Sequence, residues 1–212
     1  MMADPKHESE LVNWGVLGVA RVAEKVLVPG IQRSGNGRIH AVASRTPEKA
    51  REFAQKVGAR AAYGSYEELL RDGLVQAVYI ALPNSLHREW TIRAAEAGKH
   101  VLCEKPLAPR YADAVEMGDA CRRNDVLLME AFAHRFHPQN VAVKRIVDEG
   151  GIGEPTGFVA VHSSSLPQPG DIRLSKELDG GPGRQGLLLR EHREAHDGDR
   201  ADIRLRQGAM SR

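Results

Sequence analysis

Trp14-Gly15-Val16-Leu17-Gly18-Val19-Ala20-Arg21-Val22-Ala23 is the stretch on which the fold turns. An apolar run enters a glycine, small residues follow two and five positions later, and an amphipathic segment begins. This is the dinucleotide fingerprint with alanine in its second and third places. The first glycine permits a tight turn, and small residues after it let a pyrophosphate approach a helix N-terminus. The same pattern also serves plain close packing of a helix on a strand, so its surroundings have to carry the argument.

Outward from that turn the chain alternates. Short apolar runs predict strands over residues 14–17, 39–43, 77–82, 100–103 and 127–131, with a weaker one over 61–63. Amphipathic stretches predict helices over 22–31, 47–57, 66–71, 87–97, 111–123 and 140–148. Thr46-Pro47 reads as a helix start, and Gly58 and Gly98 as helix stops. Continuous apolar strands joined by helical crossovers imply a parallel sheet covered on both faces. The expected fold is therefore α/β, a Rossmann-type doubly wound parallel sheet. Phe158-Val159-Ala160-Val161, within a strand expected near 157–162, opens a second, α+β domain.

In such sheets ligands bind at the carboxyl ends of the strands. An acid at the end of the second strand receives a ribose 2′-hydroxyl; here that place reads Ser44-Arg45, which suits a 2′-phosphate and favours NADP over NAD. Arg45 also reads as an ordinary solvated cation. The fourth strand leads into Pro83-Asn84-Ser85-Leu86-His87, and the fifth into Glu104-Lys105-Pro106. Lys105 directly follows a buried strand, where partial desolvation lowers an ammonium pKa toward working pH. The alternative is a Glu104–Lys105 pair at a loop surface.

Composition removes several other classes. The 212 residues are 42% hydrophobic and 27% charged, which is globular rather than disordered. No apolar run approaches the roughly 18–20 residues of a membrane span. Met1 to Glu10 is polar and has no apolar core of a secretory signal, and two cysteines give no disulfide framework, so a cytoplasmic location is expected. Residues 1–180 carry 23 basic and 23 acidic side chains, so there is no electrostatic footprint for nucleic acid. The net +2 belongs to residues 181–212, with seven arginines, five acids and no aromatic residue. His192 and His196 stand four apart there without a third ligand, and no metal site is expected. Trp90, at helical spacing with Ala94 and Ala97, reads as core.

Several of these segments together resemble the glucose–fructose oxidoreductase/inositol dehydrogenase (Gfo/Idh/MocA) family, and within it the NADP-dependent D-xylose and dihydrodiol dehydrogenases. The glycine turn, Ser44-Arg45 and Pro83-Asn84-Ser85-Leu86-His87 carry the likeness. The most specific stretch is Ala97-Gly98-Lys99-His100-Val101-Leu102-Cys103-Glu104-Lys105-Pro106, followed by Met129-Glu130-Ala131-Phe132 and Arg135-Phe136-His137-Pro138. The resemblance covers roughly residues 11–180. It implies a flexible N-terminus over 1–10, an NAD(P)-binding domain over 11–135, the start of a substrate and dimerisation domain over 136–180, and an atypical tail over 181–212.

By that resemblance Gly18, Ala20 and Arg21 face the pyrophosphate, and Ser44 and Arg45 the adenosine 2′-phosphate. Pro83, Asn84 and His87 lie beside the nicotinamide half. Glu104 and Lys105 hold the nicotinamide ribose and the reacting hydroxyl, often with a cis bond before Pro106, and Arg135 contacts the cofactor or makes a structural ion pair. Lys105 is the implied catalytic residue, acting on a sugar or polyol, and family members are homodimers. The resemblance also implies an Asp followed by Tyr or His after Gly180-Gly181, whereas the chain continues Pro182-Gly183-Arg184-Gln185-Gly186-Leu187. Codons for Arg184 to Glu191 read one nucleotide later permit Asp-Lys-Gly-Cys-Tyr-Cys-Val-Asn, the pattern of a frameshift near Gly180. Two functions are expected accordingly: an NADP-dependent sugar or polyol dehydrogenase, or an NADP-binding remnant without the second-domain catalytic partner.

Overall fold

The structure, a computed structural model, describes residues 11–157 and Val159. Expectations for residues 1–10 and 181–212, and nearly all of the strand near 157–162, lie outside the described residues.

Six strands form one parallel sheet: β1 (Val12–Leu17), β2 (Gly37–Ala43), β3 (Ala61–Tyr63), β4 (Ala77–Ile80), β5 (His100–Cys103) and β6 (Leu128–Glu130). Their order is β3-β2-β1-β4-β5-β6. The chain thus winds outward from β1 to one edge, crosses back, and winds to the other. The order reverses between β1 and β4, which is where a doubly wound sheet opens a crevice. After β1 a π-helical turn (Ala23–Leu27) runs into α1 (Val28–Arg33). Helices α2 (Pro47–Val57), α3 (Tyr66–Arg71), α4 (Asn84–Glu96) and α5 (Tyr111–Arg123) make the further crossovers. A 3-10 turn (Ala133–Phe136) precedes α6 (Pro138–Asp148).

Alternate strand residues feed opposite faces. Leu17, Ala43, Val78 and Ile80 pack on Leu69 and Leu70 of α3, Trp90 and Ala94 of α4 and Met117 of α5. Val16, Val42 and Tyr79 pack on Val28, Ile31 and, from α2, Phe53, Ala54 and Val57. Trp90 is buried, with its ring edge-to-face against Tyr66 at 4.8 Å, so its reading as core holds. No residue of α6 is buried; Val141, Val143 and Ile146 are exposed.

The element boundaries move for physical reasons. β1 and β2 begin two residues before the apolar runs do, because the parallel ladder pairs Val12 with Gly37 and Asn13 with Arg38. α4 starts at Asn84 rather than at 87: Pro83, at φ −58°, ends the strand exit and launches the helix through residues with no apolar period. α6 starts at Pro138, where the His137 ring accepts the Gln139 N–H at 3.2 Å. The helix expected without interruption over 22–31 instead contains the π turn and continues to Arg33. Strand β4 ends at Ile80, earlier than 82, and β6 is shorter by one residue at each end.

Candidate cofactor site at the carboxyl edge of the sheet

Gly18 makes the turn out of β1 at φ +97°, a left-handed conformation that side chains rarely adopt. A Cβ there would stand 2.8 Å from the Ala81 carbonyl oxygen and 2.9 Å from a Leu82 methyl. The turn is held by Gly18 N–H to Ala43 O, 3.0 Å, and by Ala81 N–H to Leu17 O, 2.9 Å. The helix then opens with the Glu24 N–H bonded to Ala20 O, so the amides from Ala20 to Ala23 have no intrahelical acceptor. These amides, at the positive end of a helix and beside small residues, are a cradle for an anion. Ala20 is half-buried and Arg21 exposed, at the rim of that cradle.

At the neighbouring strand end Ser44 is buried and its hydroxyl accepts the Thr46 N–H. Arg45 is exposed, beside the Tyr66 hydroxyl. Burial raises the Tyr66 pKa, and the adjacent Arg45 guanidinium pulls it back. Arg45, Tyr66, Leu86 and Trp90, with the carboxylates Glu67 and Glu89, line much of an open depression of about 450 Å³ beside the strand ends.

The loops after β4 and β5 are tied together by His87, which is fully buried. Its Nδ1 lies 2.9 Å from Pro106 O and its Nε2 2.9 Å from Leu82 O. Burial lowers the His87 pKa, while those carbonyls, Leu107 and the Glu104 charge oppose the shift. The ring is enclosed, so its part in the site is to hold two loops rather than to present a nitrogen outward. Asn84 is buried at the first turn of α4, and Pro83 is half-buried.

Beyond β5 the bond between Lys105 and Pro106 is cis. Glu104 and Lys105 are each half-buried. The Glu104 backbone N–H donates to Ile80 O at 3.0 Å, and its Oε2 accepts the Lys105 N–H at 3.1 Å. The Leu107 N–H donates to Glu130 Oε1 at 2.5 Å. Arg135 is exposed on the 3-10 turn after β6. All these residues stand beyond the carboxyl ends of β1, β2, β4, β5 and β6, on one edge of the sheet.

Two participants escaped sequence reading. Tyr79 donates to Glu104 Oε1 at 2.7 Å, and Tyr66 engages Arg45. The only signal for the first was a tyrosine inside the otherwise aliphatic run Val78-Tyr79-Ile80. His134 stacks edge-on against Phe132, and His137 caps α6. Among the described residues no group of three or more histidine, cysteine or acidic side chains could hold a metal.

A doubly wound parallel sheet with a glycine turn and an anion cradle at its switch point defines a dinucleotide-binding Rossmann domain. The chain belongs to the Gfo/Idh/MocA oxidoreductase family with an NAD-binding Rossmann fold, which matches over residues 12–132. It is 40% identical over 169 residues to a D-xylose 1-dehydrogenase (NADP(+)) of Haloferax volcanii, covering 79% of this chain and 51% of that protein. It is 34% identical to a trans-1,2-dihydrobenzene-1,2-diol dehydrogenase of Xenopus laevis, over 79% of this chain and 51% of the relative. Among solved structures, the 3-ketoreductase KijD10 of Actinomadura kijaniata, in complex with TDP-benzene and NADP, superposes with a TM-score of 0.64 at 38% identity. That match covers 68% of this chain and 45% of KijD10. The chain spans about half the length of the curated relatives it matches.

Proposed function

We propose that the chain binds NADP along the carboxyl edge of its sheet and forms the cofactor half of a dehydrogenase or reductase acting on a sugar or polyol. The carrying observation is that one edge combines an anion cradle at Ala20 to Ala23, an exposed guanidinium at the β2 end and a carboxylate–lysine pair after β5. The NADP(+)-dependent D-xylose dehydrogenase and the NADP-bound 3-ketoreductase support the cofactor, and these two with the dihydrodiol dehydrogenase support a carbinol or carbonyl substrate. Two free, buried cysteines agree with a reducing cytoplasm. No helix among the described residues is long and apolar enough to cross a membrane.

In this reading Gly18, Ala20 and Arg21 receive the pyrophosphate, while Ser44 and Arg45 receive the 2′-phosphate. Pro83 and Asn84 border the nicotinamide half, with His87 bracing their loop and Arg135 beyond it. Bound NADP supplies the hydride acceptor, or in reduced form the donor. Lys105 holds the reacting oxygen and takes its proton during oxidation, returning it during reduction. Glu104 meets the nicotinamide ribose and, by accepting the Lys105 N–H, fixes the loop from which Lys105 projects.

Titration with NADPH and NADH, followed by turnover on D-xylose and a panel of sugars and polyols, tests the proposal. Preferential NADPH binding with turnover is expected, and Arg45→Asp should move the preference toward NADH. Equal affinity for both coenzymes in both forms removes Arg45 as selector. Binding without turnover across the panel leaves this chain the cofactor-binding role alone.

A further inference from the structure

Tyr79 is a core residue with one atom that does not belong to the core. On β4 it pairs in register with Val16 and Leu102 of the neighbouring strands, and its ring is enclosed among Val16, Val42 and Ala81. It is fully buried, a place that phenylalanine would fill equally well by packing alone. The hydroxyl is therefore the informative group, and it goes to the carboxylate of the candidate site, 2.7 Å from Glu104 Oε1. Burial and the Glu104 charge push the phenol pKa up, so it remains a donor. Glu104 is consequently gripped at three points: its amide by Ile80 O, Oε2 by the Lys105 amide, and Oε1 by Tyr79. Of these, only the bond from Tyr79 comes from a side chain, and it crosses between strands β4 and β5.

We infer that Tyr79 is a positioning residue for cofactor binding, aiming the Glu104 carboxylate from beneath the site so that its remaining lone pairs face a ribose hydroxyl. The inference rests on the reading that Glu104 meets the cofactor. It assigns no step of proton or hydride transfer to the phenol. Tyr79 acts through Glu104, and its contribution vanishes when that carboxylate is absent.

A double-mutant cycle on NADPH affinity tests this, using fluorescence titration of the whole chain and of its Tyr79→Phe, Glu104→Ala and combined variants. Each single change is expected to weaken NADPH about tenfold, as for loss of a hydrogen bond to a charged group, and the double variant no more than Glu104→Ala alone. Tyr63→Phe is the control. It removes another phenol bonded to a carboxylate, Asp72 Oδ2 at 3.0 Å, and should lower thermal stability while leaving NADPH affinity unchanged. Unchanged affinity in Glu104→Ala, or no NADPH binding by the unsubstituted chain, overturns the underlying reading and this inference with it. If Glu104→Ala weakens binding while Tyr79→Phe does not, or if the two losses multiply, the inference alone is overturned. An affinity loss in Tyr63→Phe matching that in Tyr79→Phe shows a general structural effect and also overturns it.

Discussion

Lys99 and Lys105 bracket the same strand, β5, and meet opposite environments. Lys99 precedes the strand, is only 7% exposed, and donates from Nζ to the Asp72 and Val75 carbonyl oxygens, each at 2.8 Å. Burial lowers its pKa below 10.5, and the Asp72 charge pulls it part of the way back. Lys105 follows the strand on a half-buried loop beside Glu104. The amino edge of the sheet spends its cation on closing loops, with His40 Nε2 3.1 Å from Asp72 Oδ2 and Tyr63 donating to the same oxygen. The carboxyl edge keeps polar groups at its rim, where strand ends and helix N-termini converge. A buried charge is read by its partners rather than by its residue type: Lys99 ties the loops at the amino edge together, and Lys105 stands half-buried at the rim of the candidate site.

The largest expected effect breaks the comparison at its functional end. Lys105→Met should reduce turnover by about a hundredfold or more, through loss of the proton acceptor, in a variant that still folds. Steady-state rates beside a thermal melt check this; undiminished turnover would remove Lys105 from the chemistry. Lys99→Met should do the reverse. Two carbonyls lose a charged donor inside the protein, at a cost of roughly 3 kcal/mol and a melting point lower by about 10 °C. NADPH affinity measured well below the melt should stay the same.

A smaller effect sharpens the amino-edge description through pH. Burial pushes the Asp72 carboxyl up, but the Leu74 amide, the Tyr63 hydroxyl and His40 together bring it below its usual 3.8. A folded-state value below the unfolded one gives stability that is complete above about 3.8 and lost as pH falls through the folded value. Asp72→Asn should therefore flatten the acid limb of a urea-midpoint profile below roughly pH 4, and leave the profile above it parallel to that of the parent chain. An equally steep acid limb in the variant would place the titrating group elsewhere.

Much of the fold was legible because local chemistry and tertiary structure agree. Helix α2, with Pro47 at its start and Gly58 at φ +69° after its end, and α3 and α5 fall where their apolar periods put them. The start of α4 was not legible, since Asn84-Ser85-Leu86 has no apolar period and only the preceding proline marks the entry. Within the site, Gly18 could be singled out because its turn is a backbone requirement, and Glu104-Lys105 because it follows an apolar strand. The part of His87 could not be foreseen: two carbonyls, five and nineteen residues away in sequence, meet its ring only after folding.

By itself the sequence determined the alternation of strands and helices, the glycine turn and the cation at the end of β2. These depend on the spacing of apolar side chains and on backbone freedom, which are properties of short segments. Tertiary structure alone decided which polar groups are consumed by the fold and which remain for a ligand. Lys99 met its carbonyls and Tyr79 met Glu104 through separations of 24 to 27 residues. Hydrogen bonds of that range exist only once β4 and β5 lie side by side, because a directional contact needs both partners brought within about 3 Å.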